Sequence, residues 1–444
     1  MREVSRSQFL AQGSAAMAGA SLASWSSIAR AASPSKRVAP SDSLNFGLIG
    51  AKGMGWSNLN AHRRIAGVEC IALCDVDRQV LEQRAGELEQ ASGKKPALYS
   101  DYRKLLENAD IDFVIIATPD HWHCLQLLHA LEAGKDVYVE KPLANSIHEC
   151  YVMMRAVERY GRVVQVGQWQ RSAPHWKDAI EFLRSGKLGN IRVAKAWAYQ
   201  GWMNPVPPKP DRPAPEHVDY DMWLGPAPKR PFNENRFHFN FRWFWDYAGG
   251  LMTDWGVHLI DYIFYGMEVS RPKSVMSIGG RYGYSESEDA AETPDTQQAI
   301  YEFDGFSMIW EHATGINGGP FQRDHGVAFV GNNGTLVIDR GGWEIFPDTR
   351  DGRYRMEAMP RRSGSSGLNA HAENFVECIR TRGRTNCPPD VAANTAINAH
   401  MGNVALRVGG RVYWDEATRR FRDNDAANRL LTPNYRAPWS LPKV

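Results

Sequence analysis

Ionisable side chains in two stretches far apart in the sequence have the types and spacing that ligand binding and proton transfer require. Glu140 and Lys141 close a short apolar strand, Asp136–Glu140, and Pro142 ends it because proline has no N–H to donate to a neighbouring strand. A carboxylate and an ammonium are thereby presented at the carboxyl end of a strand, where open α/β sheets bind their ligands. Taken alone, the two charges also suit a solvated pair at a strand end.

The second stretch is the helical segment around Gly249–Asp261. Asp254, His258 and Asp261 are four and three residues apart, so they share one face of the helix. A carboxylate one turn from an imidazole can orient the ring and hold its titration near neutral pH, as a general acid or base requires. The same spacing is also common in structural Asp–His pairs, so the pattern leaves both interpretations open.

A glycine-rich loop earlier in the chain predicts a dinucleotide site. Gly50, Gly53 and Gly55 follow the strand Leu44–Ile49 and open a helix, whose first N–H groups can hold a pyrophosphate. Lys52 occupies the position at which the usual G-x-G-x-x-G pattern has its second glycine. The context of strand, loop and helix strengthens a motif that would be weak by itself.

An acidic residue at the end of the next strand indicates which dinucleotide is bound. Asp75 follows the strand Val68–Cys74 and lies 22 residues after Gly53. A carboxylate at this position can bind both ribose hydroxyls and repels a 2′-phosphate, so we expect NAD, with NADP less favoured. The alternative is that Asp75 caps the following helix.

A third polar cluster, Thr118–His123, follows the strand Asp112–Ala117. Because parallel strands end at the same edge of a sheet, these residues should lie near Lys141. His121 and His123 could each simply cap the following helix. For His123 we favour a contact with the cofactor.

The order of the predicted elements indicates the fold class. Strands alternate with helices through the first part of the chain, which predicts an α/β fold with a doubly wound parallel Rossmann sheet. Beyond Arg271, strands without intervening helices predict a large open, mostly antiparallel sheet in a C-terminal α/β domain. We expect a Rossmann domain at 44–167, a substrate and oligomerisation domain at 168–423 and an extended tail at 424–444. Since open sheets often support assembly, we expect a dimer or tetramer.

The composition excludes some classes of partner. The net charge is +2 and there is no long basic run, so we expect no nucleic acid partner. The 15 Trp and 16 Tyr residues suit a carbohydrate ligand, because flat rings pack on the C–H faces of sugars, although many will belong to the core. The six cysteines lack metal-binding spacing, and we expect neither a metal site nor a disulfide framework.

The start of the chain resembles an export signal, at 1–32. Arg2 and Arg6 precede a mildly apolar run of small residues and a small-residue cleavage site. The segment is similar to a twin-arginine motif but has Ser7 in place of the second arginine. We expect export to the periplasm, with a linker at 33–43. No later apolar run is long enough for a membrane span, so we expect no stable membrane insertion.

Together these stretches resemble the Gfo/Idh/MocA oxidoreductase family over Leu44–Trp439. The features that carry the resemblance are, in chain order, the glycine loop Gly50–Gly55, Asp75, Thr118-Pro119 with His123, Glu140-Lys141-Pro142 and Asp254-Trp255-Gly256-Val257-His258. The resemblance implies a Rossmann domain followed by a domain with an open sheet. It also implies NAD(P) binding and, for most members, oxidation or reduction of a hydroxyl on a sugar, an inositol or a related polyol.

The resemblance further implies roles for individual residues. Lys141 would hydrogen-bond the reacting oxygen, after a proline bond that is often cis in the family. His258 would accept and return the proton, with Asp254 as its partner. The expected cofactor contacts are Gly50, Lys52, Gly53, Met54, Gly55, Asp75, Thr118, Pro119, Asp120, Trp122, His123, Glu140, Lys141 and Gln168. Our candidates for the sugar pocket are Arg171, Tyr199, Trp202, Arg236 and Trp243.

Three functions are compatible with these residues. The first is an NAD-dependent oxidoreductase that moves hydride between a sugar or polyol carbon and a tightly retained cofactor, since an exported enzyme has no dependable NAD pool. The second is a redox-neutral glycosidase that oxidises, eliminates, hydrates and reduces with the same cofactor. The third is a non-catalytic sugar or dinucleotide sensor, because a fold does not fix a function.

Overall fold

Six strands in the first part of the chain form one parallel sheet. The computed structural model describes residues 43–443, so the predicted export signal and almost all of the predicted linker lie outside the described residues. The strands are β1 Leu44–Ile49, β2 Val68–Cys74, β3 Ala97–Tyr99, β4 Phe113–Ile116, β5 Asp136–Val139 and β6 Val164–Val166. Their order in the sheet is β3-β2-β1-β4-β5-β6, and every pair is parallel. The predicted Rossmann sheet is confirmed.

The topology opens a crevice at one edge of this sheet. Strands β1 and β4 are neighbours, and the chain leaves them in opposite directions, which is where open α/β sheets bind ligands. Their last residues, Ile49 and Ile116, lead into the glycine loop and the Thr118–His123 turn. Strand β5 lies beside β4 and ends at Val139, so Lys141 follows at the same edge.

Five helices belong to this part of the chain. They are α1 Met54–His62, α2 Arg78–Ser92, α3 Tyr102–Leu106, α4 Asp120–Glu132 and α5 Ile147–Tyr160. Alternate strand residues face opposite sides, so Phe113 and Val114 belong to different apolar clusters, the first with α1 and α2 and the second with α4 and α5. The sequence did not predict β3 or α3. Helix α4 begins at Asp120, directly after Pro119.

A second, larger sheet follows and is mixed. Its strands are β7 Ile191–Gln200, β8 Ser274–Gly280, β9 Thr296–Glu302, β10 Ser307–Thr314, β11 His325–Gly331, β12 Gly334–Asp339, β13 Gly342–Pro347 and β16 Met359–Ser363. The order is β16-β13-β12-β11-β7-β10-β9-β8, in which β7 and β10 are parallel and the other pairs antiparallel. The predicted mostly antiparallel sheet is confirmed. Two small hairpins add β14 Thr349–Arg350 with β15 Arg353–Tyr354, and β17 Trp414–Asp415 with β18 Arg420–Phe421.

Seven more helices follow in the described part of the chain. They are α6 Pro174–Arg184, α7 Tyr220–Leu224, α8 Gly250–Asp254, α9 Gly256–Met267, α10 Leu368–Thr381, α11 Pro389–Val408 and α12 Asp425–Arg429, with 3-10 turns at Trp169–Ser172, Asn240–Trp243 and Pro320–Gln322. Strand β7 presents Ala194, Ala196 and Ala198 to α9, and these small side chains let the helix lie close to the sheet. At Gly266 of α9, a side chain would collide with Leu183.

Helix α10 completes the first sheet rather than the second. Its Phe375 is fully buried and packs edge-on against Phe113 and Tyr138, with ring centroids 5.4 and 5.8 Å apart. The two sheets therefore share packing elements from distant parts of the chain. The predicted domain bounds at 44–167 and 168–423 stay predictions.

Two local predictions are wrong. The helix predicted around Gly249–Asp261 is interrupted at Trp255, where α8 ends and α9 begins. The tail predicted to be extended contains α12, and it returns to the first sheet, where the ring of Trp439 lies 4.9 Å from that of Trp122. Both departures depend on tertiary contacts that local periodicity does not encode.

Candidate active site

The glycine loop between β1 and α1 is open where a pyrophosphate would lie. Gly50 and Gly53 have φ angles of 88° and 51°, in the left-handed region that favours glycine. A side chain at Gly55 would collide with the carbonyl oxygen of Gly50, so the loop and the helix approach closely. Lys52 and Met54 are exposed at the rim. This cradle fits the phosphates of a dinucleotide, with backbone N–H groups and one lysine as donors.

Asp75 fastens the glycine loop. Its Oδ2 accepts a hydrogen bond from the N–H of Ala51 at 2.8 Å, and its Oδ1 accepts one from the N–H of Asp77 at 3.0 Å. Burial raises the pKa of Asp75. Helix α2 is capped by Asp77, which accepts from the N–H of Gln79, so the interpretation of Asp75 as the helix cap is wrong. A ribose contact for Asp75 stays a prediction.

The turn that starts at Thr118 lies at the same edge, but its side chains are occupied within the protein. Thr118 Oγ1 donates to Gln126 Oε1 at 2.7 Å. The two ring nitrogens of His123 lie 2.7 Å from the carbonyl oxygen of Pro142 and 2.9 Å from that of Thr118. His123 therefore has no free nitrogen for a cofactor, which corrects the predicted contact. It fixes the turn against the Lys141–Pro142 bond, which is cis, as the resemblance implied.

Trp122 and Glu140 are also structural. The indole N–H of Trp122 donates to the carbonyl oxygen of Trp223 at 3.1 Å, and the ring is buried. Glu140 is buried, and its Oε1 accepts a hydrogen bond from the side-chain amide of Asn58 at 2.8 Å. Each side chain ties the first sheet to a neighbouring element. The predicted cofactor contacts of these two side chains are therefore corrected.

Gln168 connects the end of the first sheet to helix α9. Its Nε2 donates to the carbonyl oxygen of Val257 at 3.2 Å, and its Oε1 accepts from Cys387 Sγ at 3.2 Å. Both ends of the amide are used, so Gln168 positions the residue beside His258 instead of contacting a cofactor. This is a further correction to the predicted set.

Lys141 crosses from the first sheet to the segment that bears the candidate base. Its Nζ donates to Asp254 Oδ1 at 2.7 Å and to the Asp254 carbonyl oxygen at 3.0 Å. Burial by itself would raise the pKa of Asp254, but Lys141 and Arg242 outweigh it and hold that pKa well below its usual range. Asp254 is therefore an ionised partner of Lys141, and the predicted partnership with His258 is corrected.

His258 lies one turn further along, on α9. Its side chain is 5% exposed, and its Nδ1 has no hydrogen-bond partner among the described residues. The rings of Trp169 and Trp255 lie 6.1 and 6.4 Å from its ring. Burial, assisted by Lys141, holds the pKa of His258 well below its ordinary value of 6.5. A neutral imidazole in this position can accept a proton.

Asp120 is a second carboxyl group beside this cluster. It is buried at the start of α4, where burial, and then the negative charge of Asp254, raise its pKa to about 8. The nearby cations Lys141 and Arg242 offset only part of that rise. At neutral pH the site therefore holds one ionised carboxylate and one protonated carboxyl group.

Sequence reasoning missed two arginines of the site. The Nε of Arg242 lies 3.4 Å from Asp254 Oδ2, and its guanidinium lies over the ring of Phe239. Arg340 occupies the two-residue turn between β12 and β13, with its guanidinium against the rings of Trp169 and Trp255. The aromatic density around Arg242 was a usable signal. Arg340 gave none, because a lone arginine in a hairpin turn is ordinary.

Most candidates for the sugar pocket have structural roles instead. Arg171 forms a two-point ion pair with Asp261, at 2.7 and 2.8 Å. Arg236 is buried in the long loop before α8, where its guanidinium donates to the carbonyl oxygen of Pro231. Trp243 is buried with the core. These three predictions are corrected, because the two arginines are bonded within the protein and the indole ring belongs to the core.

Of the other two candidates, one lies on the far face of the large sheet and the other at the surface. Tyr199 shares its face of β7 with Trp197, whereas the alanines that alternate with them face α9. The period of two in a strand therefore places Tyr199 on the side opposite His258, which corrects that prediction. Trp202 is 53% exposed and donates to Gln200 Oε1 at 2.7 Å, so it lies on the surface.

In residues 43–443, no three His, Cys, Asp or Glu side chains gather closely enough to hold a metal ion. All six cysteines are buried and free. None of the described helices is both long and apolar enough to cross a membrane.

Two family models match the chain, and together they cover most of it. One describes the NAD-binding Rossmann fold of an oxidoreductase family and matches residues 44–168. The other describes the C-terminal alpha/beta domain of the same family and matches residues 196–441. The chain belongs to the Gfo/Idh/MocA oxidoreductase family. The glycine loop therefore lies in an NAD-binding domain, as the resemblance implied.

Curated relatives of this family member match over a limited region. A glycosyl hydrolase family 109 protein of Shewanella baltica is 33% identical over 174 residues, which is 36% of this chain and 38% of that protein. An alpha-N-acetylgalactosaminidase of Shewanella oneidensis is 34% identical over 174 residues, with the same two shares. The chain thus spans less than half the length of the curated relatives it matches.

Solved structures match over most of this family member. An aldose-aldose oxidoreductase from Caulobacter crescentus, complexed with glycerol, has a TM-score of 0.62 and 19% identity, over 84% of this chain and 99% of that chain. A levoglucosan dehydrogenase in complex with NADH and levoglucosan gives the same four values. At this identity the likeness shows the fold.

Proposed function

We propose that this protein is an NAD-dependent oxidoreductase that moves hydride between a hydroxyl-bearing carbon of a sugar or polyol and a retained nicotinamide cofactor. The observation that carries the proposal is a convergence. Lys141, from the edge of the Rossmann sheet, hydrogen-bonds Asp254 at 2.7 Å, one helical turn before His258. The charge of Lys141 also acts on His258, which supports an ammonium and an imidazole close together at the edge of the sheet where the glycine loop lies.

Each of the three side chains has a separate task in this proposal. His258 takes the hydroxyl proton, since burial and the charge of Lys141 keep its imidazole neutral. Lys141 donates a hydrogen bond to the same oxygen as negative charge develops on it. Asp254 holds Lys141 in place. When bound, the nicotinamide supplies the hydride acceptor and, in the reverse direction, the hydride donor.

Two measurements test the proposal. The first is a mass spectrum of the nucleotide that denatured protein releases, which we expect to be NAD. The second adds sugars and polyols to the purified protein and follows the near-ultraviolet band of reduced nicotinamide, without added cofactor. We expect one sugar class to reduce the bound nucleotide in the wild type and not in His258→Gln. Protein that carries no nucleotide, or that no sugar or polyol reduces, would contradict the proposal.

A redox-neutral glycosidase is the second candidate, and the names of the curated relatives favour it. They are described as glycosyl hydrolases and as an alpha-N-acetylgalactosaminidase, over about a third of this chain. The same Lys141 and His258 would serve an oxidation, an elimination, a hydration and a reduction. Release of nitrophenol from an aryl glycoside without added cofactor would support this candidate, whereas hydride exchange between a sugar and a keto-sugar would support the first.

We also propose that the protein is exported and keeps its cofactor bound. Contacts from the long loop before α8 support retention, because Val218 pairs with Asp77 beside the glycine loop and His238 Nε2 lies 2.7 Å from Asp77 Oδ2. Expression of the full chain in a bacterium, followed by fractionation, tests the location. An uncleaved protein in the cytoplasm would contradict export.

The predicted homo-oligomer is likewise a proposal, through the uncovered face of the large sheet. Met276, Ile278 and Ile300 are exposed on β8 and β9, with Ile278 at 63%. Burial of such side chains against a second copy would be favourable. Light scattering should give a dimer or tetramer, and Ile278→Lys should weaken it. A monomer at high concentration would contradict this proposal.

A further inference from the structure

Arg340 is a cation of the active site that no carboxylate of the described residues contacts directly. The opposite charges of Asp254 and Asp324 act on it only from beyond ion-pair distance. Its Cζ lies 4.8 Å from the ring of Trp169 and 4.5 Å from the ring of Trp255. Among residues 43–443, its guanidinium forms no ion pair or hydrogen bond, and its Nε is buried without a partner. Burial lowers the pKa of Arg340 to about 10, so it stays charged at neutral pH. A half-buried guanidinium whose Nε is shielded from water and has no partner is unfavourable and therefore calls for an explanation.

The neighbouring arginines show that carboxylates are available at this end of the sheet. Arg323 Nη1 lies 3.2 Å from Asp339 Oδ2, and Arg361 Nη2 lies 2.5 Å from Asp339 Oδ1. Arg323 also pairs with Glu344. These two arginines are neutralised within the protein, whereas Arg340, which follows Asp339 directly, is not.

Arg340 lies close to His258, the candidate base. The rings of Trp169 and Trp255, which hold the guanidinium, also lie against the ring of His258. The charge of Arg340 is close enough to help lower the pKa of His258, after burial and Lys141. A ligand whose reacting carbon is beside His258 would therefore extend a substituent toward Arg340.

The charges of the site favour an anion at that substituent. Lys141, Arg242 and Arg340 are three cations, and Asp254 is the ionised carboxylate between the first two. Asp120 holds its proton at neutral pH because its pKa is raised to about 8 by burial, and then by Asp254. Asp324 acts on Arg340 without contacting it. Of the three cations, Lys141 and Arg242 have a carboxylate within ion-pair distance and Arg340 has none among the described residues, so an acidic ligand would supply the missing contact.

We propose that Arg340 binds a carboxylate of the substrate, and that the substrate class is an acidic sugar, such as a uronate, rather than a neutral one. The planar guanidinium offers N–H donors along its edge, and two such donors match the two oxygens of a carboxylate. The indole rings pack on the flat face of the guanidinium, so its N–H edge stays available for the carboxylate. This inference rests on the proposed function for its choice of a sugar.

Binding measurements test the inference separately from hydride transfer. Protein with its retained nucleotide is titrated with glucuronate, galacturonate and mannuronate, each beside its parent hexose, by calorimetry or by the fluorescence of the adjacent tryptophans. We expect at least one uronate to bind about 10- to 100-fold more tightly than its hexose, as a charge-assisted hydrogen bond predicts. Arg340→Met should remove this difference between uronate and hexose, and Arg340→Lys should keep part of it.

Arg362 provides the matched control. Its guanidinium lies 5.0 Å from the ring of Trp343, and it is exposed. Arg362→Met should leave the preference for uronates intact. Equal binding of uronates and hexoses by the wild type would overturn the inference, as would tighter binding of hexose phosphates than of uronates. Loss of the retained nucleotide from Arg340→Met would overturn it as well, since Arg340 would then serve the cofactor.

These outcomes are distinguishable from failure of the proposed function. A preference for uronates that depends on Arg340, without reduction of the bound nucleotide, would support the acidic ligand and contradict the oxidoreductase. Reduction of the nucleotide by neutral sugars, with equal turnover in Arg340→Met, would support the oxidoreductase and contradict the acidic ligand.

Discussion

Two ion pairs lie along the same interrupted helix, and they differ in how completely their charges are matched. Arg171 and Asp261 make two hydrogen bonds, Thr395 donates a third to the carboxylate, and the side chain of Asp261 is 3% exposed. Lys141 and Asp254 meet at the break in the helix, with side chains 13% and 14% exposed and further cations nearby. We call Arg171–Asp261 the closed pair, because its charges are fully matched within the protein, and Lys141–Asp254 the open pair. The closed pair stabilises the fold, whereas the open pair can exchange partners with a ligand.

His258 lies on the helix between the two pairs, and its removal should have the largest effect. His258→Ala should lower turnover by about 10²- to 10⁴-fold, because a positioned base supplies a factor of that size. His148→Gln, on an exposed helix start, is the control. The pH profile adds a check: because the pKa of His258 is lowered, the acidic limb of kcat/KM should lie below pH 6.5. A limb above that value would show that the imidazole is not held neutral.

The closed pair should matter for stability rather than for turnover. Arg171→Met leaves Asp261 buried without its cation and should cost about 3–5 kcal/mol of unfolding free energy. Arg184→Met is the control, because Arg184 packs on the same Tyr265 ring but pairs with the exposed Glu268, and it should cost below about 1 kcal/mol. Denaturant midpoints measure both. Equal midpoints for the two variants would contradict the distinction between closed and open pairs.

The open pair should show the opposite behaviour. Lys141→Met should lower turnover by about 10²- to 10³-fold, since it removes a donor to the developing negative oxygen. Its unfolding free energy should change little, because Arg242 remains beside Asp254. Lys195→Met, which breaks the pair with Glu311 on the large sheet, is the control for a lost lysine. Unchanged turnover in Lys141→Met would remove Lys141 from the mechanism.

The protonated carboxyl group at the open pair gives the smallest effect and a definite sign. Asp120 keeps its proton in the folded state up to a pKa of about 8, whereas in the unfolded chain it ionises near its ordinary value of 3.8. The unfolded state thus binds fewer protons between these values, so this group lowers stability as the pH rises through them. Asp120→Asn should add about 1–3 kcal/mol at pH 8 and almost nothing at pH 4. Equal gains at both pH values would contradict a protonated Asp120.

The parts of the fold that the sequence predicted are those with strong local signals. The bounds of β1 and β2 match the predictions because apolar periodicity and turn residues coincide there. Strand β3 was not predicted, because it has only three residues, which follow two lysines and a proline. A segment this short shows almost no alternation of apolar and polar residues. The interruption at Trp255 escaped because the apolar stripe continues through it.

The candidate site divides in the same way. Residue types and order along the chain pointed to Lys141, Asp254 and His258, but not to which of them are partners. The partner of Lys141 is 113 residues away, and only the packing of the two sheets decides that it is Asp254. Aromatic and charged candidates such as Arg171 failed, because a sequence does not show whether a buried arginine already has its carboxylate.

The covering of the first sheet by α10 has a consequence for biosynthesis. One side of that sheet presents Phe46, Phe113 and Tyr138, and the ring that shields them, Phe375, is supplied more than 200 residues later. When only the nucleotide-binding part of the chain has been synthesised, these aromatic rings lack the cover of Phe375 and are exposed to water and to other chains. We therefore expect truncated chains that end before α10 to aggregate, and the nascent protein to need protection until its last quarter emerges.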